Sequence, residues 1–492
     1  MRGRALRLPH DKMNPTTHTE ETSLLHSNNP NAMRNHHLFT ALLAALFCLS
    51  PLGLRAQDDN SYIHKQSDGY EWPTDKDVLR KLDQWQDLKF GVLMHWGLYS
   101  VPGIVESWQI CSEDWITRPA EYTYEGYKQW YWGLSNVFNP TKFDPDQWAR
   151  VMQDAGMKYM IFTTKHHDGF CMFDSKYTDF SIARGPFADN PKADVAKYVF
   201  QAFRDKGFMT GCYFSKPDWH CKWFWNPYYA TPNRMPNYKR EQHPDWWRKY
   251  QRFTQNQLNE LMTRYGKFDI LWLDGGWVSG DDIGLDSVLA QARAGQQKGL
   301  ICVDRTIQGR NENYQTPEQQ IPDHQLNHPW ESCITLTHAW GWIPNPDYKS
   351  ANKVLALLAE VVAKGGCMVL GVGPSPEGLI PDDEAARLHE VGDWLRRNGE
   401  AIYSTRTTPN YHQGNLWFTA NKNHRTLYAI YALEDGGQLP QTITWKGNVP
   451  KGDVTLIDGN VRLHTTVEGD RVTVDLPQGL ANAPVALKFS IE

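Results

Sequence analysis

Asp274 closes the apolar run Leu271-Trp272-Leu273 and is followed by Gly275-Gly276. A carboxylate ending an apolar strand, with glycines that let a ligand approach the backbone, is placed to act as a nucleophile. A cap on a following helix is the competing reading. A second apolar run ends in Lys165-His166-His167-Asp168-Gly169. Consecutive polar or ionisable residues leaving such a strand must be solvated, paired or turned toward a ligand. His166, His167 and Asp168 form a conceivable metal set, but neighbours on an extended backbone point to opposite sides, so no metal is expected. His95-Trp96-Gly97 ends a third run, where an imidazole could donate to a ligand hydroxyl or simply bond backbone.

Double displacement at a sugar acetal would need a second carboxyl about 5–5.5 Å from the first, able to exchange acid and base roles. Glu106, Glu113, Asp323 and Glu331 are the candidates, and spacing does not choose among them. Glu331 stands in HPWESC, close to HAWGW. A flanking indole wall would raise its pKa by desolvation, which favours it.

The elements that must position these residues are legible as a pattern. Short apolar runs at Phe90–Met94, Tyr159–Thr163, Met209–Phe214, Ile270–Leu273, Leu300–Val303 and Met368–Gly371 alternate with stretches of helical spacing at Pro145–Ala155, Asp194–Lys206, Trp246–Tyr265 and Lys353–Lys364. This is the signature of parallel strands joined by helices. Polar residues directly after several strands favour a (β/α)-barrel over an open sheet, because barrel enzymes build their sites from the carboxyl ends of many strands. No GxGxxG or GxxxxGK[ST] follows the first strand, which removes the usual reason for a nucleotide-binding sheet. After Tyr403 short alternating runs separated by Gly, Asn, Asp and Pro predict an antiparallel β-sandwich.

At 492 residues the chain exceeds a single core, so two packed domains are expected, a catalytic one over 57–403 and the sandwich over 404–492. Residues 1–32 are polar and precede a second methionine, and they read as an extension ahead of the true start at Met33. Residues 33–56 carry a basic start, the apolar run Leu38–Leu46 and the cleavage signature Leu54-Arg55-Ala56 of a signal peptide. Export to the periplasm follows, with lipid anchoring at Cys48 disfavoured by Phe47 before it. No run is long enough to span a membrane. A net charge of -5 without a basic run argues against nucleic acid, and 21 Trp fit either a large core or a neutral sugar ligand. The cysteines beyond Cys48 include no CxxC pair, so neither a zinc site nor a disulfide framework is expected.

The blocks HWGLYSVP, KHHDGF, LWLDGGW, DRT, PWESC with the later WGW, and GGCMVLGVGPSPEGLI followed by WLRRNGEAIYST occur in order between Trp85 and Thr405. Together they resemble the α-L-fucosidases of glycoside hydrolase family 29. The resemblance implies a distorted (β/α)-barrel with a carboxy-terminal β-sandwich, and hydrolysis of terminal α-L-fucosides through a covalent glycosyl-enzyme. It makes Asp274 the nucleophile and Glu331 the acid/base. His95, Trp96, His166, His167 and Arg305 become sugar-binding residues, and no metal or organic cofactor is implied. The family's Glu-Trp pair is replaced here by Glu106-Ser107-Trp108 and Glu113-Asp114-Trp115, of which Glu106 with Trp108 is the expected sugar contact. Phe214 stands where the family often has Tyr, which leaves an α-L-galactosidase as an alternative enzyme. A carbohydrate-binding protein on the same scaffold is the alternative without catalysis.

Overall fold

The computed structural model describes residues 67–491 apart from Asp114 and Pro232. The leading stretch 1–32, the signal peptide 33–56 with Cys48, and residues 57–66 lie outside the described residues.

Runs that are apolar on both faces become parallel strands covered on both sides. These are β1 (Phe90–Met94), β2 (Tyr159–Lys165), β3 (Met209–Ser215), β4 (Ile270–Asp274), β5 (Ile301–Asp304), β6 (Glu331–Thr335) and β7 (Cys367–Val372). They pair in the order β5-β4-β3-β2-β1-β7-β6. β6 has no counterpart among the expected strands, because Glu331-Ser332 opens it with two polar residues. The interval between the outer strands β5 and β6 is occupied by residues 311–319. They make isolated bridges to both sides, Val303 with Glu312 and Glu318 with Cys333. This irregular closure is the distortion of the barrel.

The helices are α1 (Lys76–Leu88), α2 (Tyr124–Gly133), α3 (Pro145–Asp154), α4 (Val195–Asp205), α5 (Pro244–Arg264), α6 (Gly280–Ile283), α7 (Leu285–Ala294), α8 (Ala351–Ala363) and α9 (Asp382–Asn398). α3 starts where Asp144 accepts from the backbone N–H groups of Asp146 and Gln147, with Pro145 in the first turn.

Strand alternation sorts side chains between two cores. Leu93, Tyr159, Ile161, Tyr213, Trp272, Val303, Cys333 and Val369 fill the barrel interior, and α1 plugs its amino-terminal end with Val78, Leu82 and Trp85. The other strand faces, including Val92, Met94, Phe162, Phe214 and Leu370, pack outward on the helices.

Beyond Tyr403 the strands are antiparallel: β8 (Thr405–Arg406), β9 (His412–Gln413), β10 (Leu416–Asn421), β11 (Thr426–Tyr431), β12 (Thr442–Lys446), β13 (Val454–Leu456), β14 (Val461–Leu463), β15 (Thr465–Glu468), β16 (Arg471–Asp475) and β17 (Val485–Ser490). A sheet ordered β14-β13-β17-β11-β10-β8, with β9 on β10, faces a three-stranded sheet β12-β16-β15 across a core of Phe418, Trp445, Leu456 and Phe489. Trp445 is a core residue and Trp417 is buried under His412, so neither presents a sugar-stacking face. Cys111, Cys171, Cys212, Cys221, Cys302, Cys333 and Cys367 are free thiols, all buried. No helix among the described residues is long and apolar enough to cross a membrane.

Candidate active site

Asp274 is the last residue of β4 and lies at the carboxyl end of the barrel with little exposure. One carboxylate oxygen accepts from Tyr213 Oη at 2.6 Å, and the other lies 3.2 Å from Arg305 Nη1 and 2.8 Å from the Gly275 N–H. Gly275 has φ +84°, and a Cβ there would fall 2.2 Å from Pro217. Only glycine allows the chain to turn this tightly after the carboxylate.

Asp274 lies in a pocket of about 310 Å³ whose lining includes His95, Glu106, Trp108, His166, Tyr213, Trp272, Arg305, Glu318 and Trp340. His95 is buried, and burial together with the neighbouring His166 holds its pKa well below the usual range, so its ring is neutral. Its Nδ1 meets no protein partner. The His166 ring bonds Ser107 Oγ, and His167 Nδ1 bonds Ser215 Oγ at 2.6 Å, which turns His167 Nε2 to within 3.7 Å of Asp274. An imidazole with one nitrogen tied down can present the other to a hydroxyl. Buried pairs, Lys165 with Asp218 and Lys216 with Asp304, tie the ends of β2, β3 and β5 to the loops beside the pocket.

His166 lines the pocket and its neighbour His167 also turns toward Asp274, against the alternation expected of them. The β2–β3 register shifts between Thr163 and Lys165, and a turn begins at His167. His166, His167 and Asp274 thus bring potential ligand atoms within 4.8 Å of one another. The Arg305 guanidinium on Asp274 opposes a second cation there.

Glu106 is buried, and its Oε1 accepts from the backbone N–H groups of Trp340 and Gly341 at 2.8 and 3.0 Å. Burial pushes its pKa up to about 7, with Glu318 adding to the rise. Trp108 lines the pocket beside it. Asp168, by contrast, is taken up by Tyr131 Oη and the Phe170 N–H and does not line the pocket.

Three expectations are corrected. Trp96 does not reach the pocket: it follows His95 on the alternating backbone, so it points outward, where its indole donates to Ser375 O and packs on Phe143 and Trp148. Phe214 likewise faces outward beneath the Lys165 ammonium, and its neighbour Tyr213 supplies the pocket with the tyrosine that had seemed missing. Glu331 is the first residue of β6, hence at the amino-terminal end of the barrel, opposite Asp274. It has no exposed surface and accepts from Tyr159 Oη at 2.7 Å and Trp272 Nε1 at 3.3 Å. Burial raises its pKa to about 7 as its indole neighbours led one to expect, but it is absent from the pocket lining. Of the other candidates, Glu113 is paired with Arg234 and Asp323 is exposed.

The carboxyl group that shares the pocket with Asp274 on the far side of Arg305 belongs to Glu318. Arg305 Nη1 faces Asp274, and Arg305 Nη2 pairs with Glu318, whose Oε1 accepts from Trp340 Nε1 at 3.0 Å. Burial alone would lower the Arg305 pKa, but the two carboxylates raise it and keep the charge in place. Glu318 sits in the irregular segment that closes the barrel, where neither periodicity nor an apolar run marks it. Tyr213 and Trp272 were legible in principle: Trp272 is two residues before Asp274, on the same face, and Tyr213 is its partner in register.

A parallel (β/α)-barrel that gathers paired carboxyls, imidazoles and indoles at its carboxyl end defines a glycoside hydrolase. Residues 59–400 match the α-L-fucosidase family, and the chain belongs to that family. It is 29% identical over 387 residues to the plasma α-L-fucosidase of Rattus norvegicus, covering 72% of this chain and 78% of the rat protein. It is 27% identical to an α-L-fucosidase of Branchiostoma floridae, covering 82% of this chain and 90% of that one. Among solved structures, α-L-fucosidase isoenzyme 1 from Paenibacillus thiaminolyticus superposes with a TM-score of 0.71 at 28% identity, over 85% of this chain and all of the other. The Thermotoga maritima α-fucosidase in complex with fucose gives 0.67 at 26% identity, over 85% and 100%.

Proposed function

We propose that this enzyme removes terminal α-L-fucosyl residues from fucosylated glycans with net retention, with Asp274 as nucleophile and Glu318, in place of Glu331, as acid/base. The observation that carries this reading is the single guanidinium of Arg305 lying between the two carboxyls. Such a bridge keeps both carboxyls at one pocket, as double displacement requires of a pair that works at roughly 5–5.5 Å. Asp274 attacks the anomeric carbon while Glu318, in its protonated form, delivers its proton to the departing oxygen, and the carboxylate left behind pairs with Arg305. Glu318 then takes a proton from water as the glycosyl-enzyme is hydrolysed. Tyr213 and Arg305 hold Asp274 aimed through their contacts with its carboxyl oxygens, and His95, His166, His167 and Glu106 offer donors and acceptors to the ring hydroxyls. Leu93, Tyr213, Trp272 and Trp340 supply apolar surface suited to the C6 methyl group of fucose. With Tyr213 in that wall, the argument for an α-L-galactoside loses its basis.

The test is chemical rescue. Asp274→Gly should lose turnover of an aryl fucoside and regain it with azide, giving β-fucosyl azide. Glu318→Ala with azide should give the α-azide. Unimpaired turnover in Asp274→Gly, or an α-azide from it, sinks the assignment.

We further propose export to the periplasm, supported by the basic, apolar and small-residue pattern of residues 33–56. Amino-terminal sequencing of the mature protein should begin at Gln57, and a retained Met33 would refute it.

A further inference from the structure

At the amino-terminal end of the barrel, away from Asp274, a cleft of about 530 Å³ opens between the barrel and the first sandwich strand. It is lined by Trp72, Gln86, Lys89, Asn327, His328 and Arg406.

The charges here do not balance. Asp83 and Asp87 are each shared by Arg406 and Lys422. Lys89, the residue before β1, is the third cation. It is 2% exposed, and among the described residues no carboxylate lies within ion-pair distance of its ammonium. A buried cation without an acceptor is costly, and an anion entering the cleft would offset that cost. Burial already pulls the Lys89 pKa down to about 8.

The cleft is also built for a ring. Trp72 is 54% exposed. It meets Tyr70 edge-on at 5.4 Å, and Tyr70 stacks on His328 at 4.6 Å, so the indole is braced from behind. His328 is in turn held by Gln315 at 2.8 Å. Gln86 and Asn327 present amides that can both donate to and accept from hydroxyls.

We propose that this cleft binds an anionic sugar unit, a pyranose carrying a carboxylate or sulfate, with the anion on Lys89 and the ring face on Trp72. The site is separate from the catalytic pocket and would hold acidic glycans at a second point. It stands or falls independently of the catalytic reading.

Calorimetric titration at pH 7, with the catalytic pocket saturated by L-fucose, tests it using glucuronate, glucose and sodium sulfate as probes. Glucuronate should bind saturably with a Kd in the millimolar range, on the order of −4 kcal/mol, and glucose should not. Lys89→Met and Gln86→Glu should each weaken glucuronate by about fivefold or more, roughly 1 kcal/mol. Gln86→Glu lies on a helix surface and keeps the test open if Lys89→Met does not fold. Trp72→Ala should weaken glucuronate and leave sulfate unchanged. Aryl fucoside turnover should be unaltered in all three. Undetectable glucuronate binding, equal binding of glucose, or unchanged affinity in Gln86→Glu would overturn the proposal. Sulfate binding as tightly as glucuronate, with no effect of Trp72→Ala on either, would also overturn it by reducing the cleft to an inorganic-anion site.

Discussion

Trp272 Nε1 donates to Glu331 Oε1 at 3.3 Å, so the indole lining the catalytic pocket rests on a carboxyl group that never reaches the pocket itself. Glu331 accepts a second bond from Tyr159 at the bottom of the barrel. It therefore supports the pocket from beneath Trp272. Glu331→Gln keeps an acceptor for Trp272, whereas Glu331→Leu leaves a buried indole N–H without one, a loss of about 1–3 kcal/mol. The leucine variant should show a raised KM for aryl fucosides with a smaller change in kcat, and the glutamine variant should restore KM. Equal kinetics in the two variants would remove Glu331 from this role.

Leaving-group dependence separates Glu318 from Glu331. Glu318→Ala should lose far more activity on a fucosyl disaccharide than on an aryl fucoside whose leaving group needs little protonation, by about 10²–10⁴-fold for general acid assistance. Glu331→Ala should lower both substrates alike. The reverse pattern would return the acid/base role to Glu331.

The raised pKa of Glu331 carries a prediction about stability. In the unfolded chain its carboxyl ionises near the ordinary value of 4.5, while in the fold it keeps its proton up to about 7. The folded state therefore binds more protons between these values, and stability falls as pH rises from about 4.5 to 7, then levels. Replacing the carboxyl with an amide removes this contribution, at most about 3 kcal/mol. Denaturant unfolding at pH 5 and pH 8 should show a smaller difference in Glu331→Gln than in the parent. An unchanged difference would mean that Glu331 is ionised in the fold.

Neighbours directly after β1 should behave oppositely. His95→Ala should impair substrate binding with little effect on stability. Trp96→Phe should leave KM alone and cost about 1 kcal/mol through the lost bond to Ser375. Michaelis kinetics beside thermal melts would decide, and a KM effect in Trp96→Phe would reverse the facing.

An apolar wall discriminates weakly against an added hydroxyl, so an aryl α-L-fucoside should be preferred over the α-L-galactoside by about 10–100-fold in kcat/KM. A preference for the galactoside would mean that the C6 substituent lies elsewhere than against Tyr213 and Trp272.

Gly275→Ala should abolish activity and destabilise the fold, since its φ of +84° and the 2.2 Å approach to Pro217 leave no room for a methyl group. Near-normal turnover in this variant would mean that the β4 turn can be rebuilt.

The amino-acid sequence by itself determined the barrel, the antiparallel strands after Tyr403 and the place of Asp274, because all three rest on local signals. Apolar runs of strand length set six of the seven barrel strands, and a polar residue ending such a run marks the carboxyl end of the barrel whatever the rest of the chain does. The two faces of a strand are equally apolar here, so only the closed sheet decided that His95 and Tyr213 turn inward while Trp96 and Phe214 turn outward. The partner of Asp274 was less legible still. Burial does raise the pKa of Glu331, against the hydrogen bonds from Tyr159 and Trp272 that lower it, but desolvation is alike at both ends of a barrel and cannot say which end faces the substrate. Glu318 lies in a segment with no regular structure, brought to Asp274 by bridges to strands on either side and by one arginine, and those are contacts that exist only once the barrel has closed.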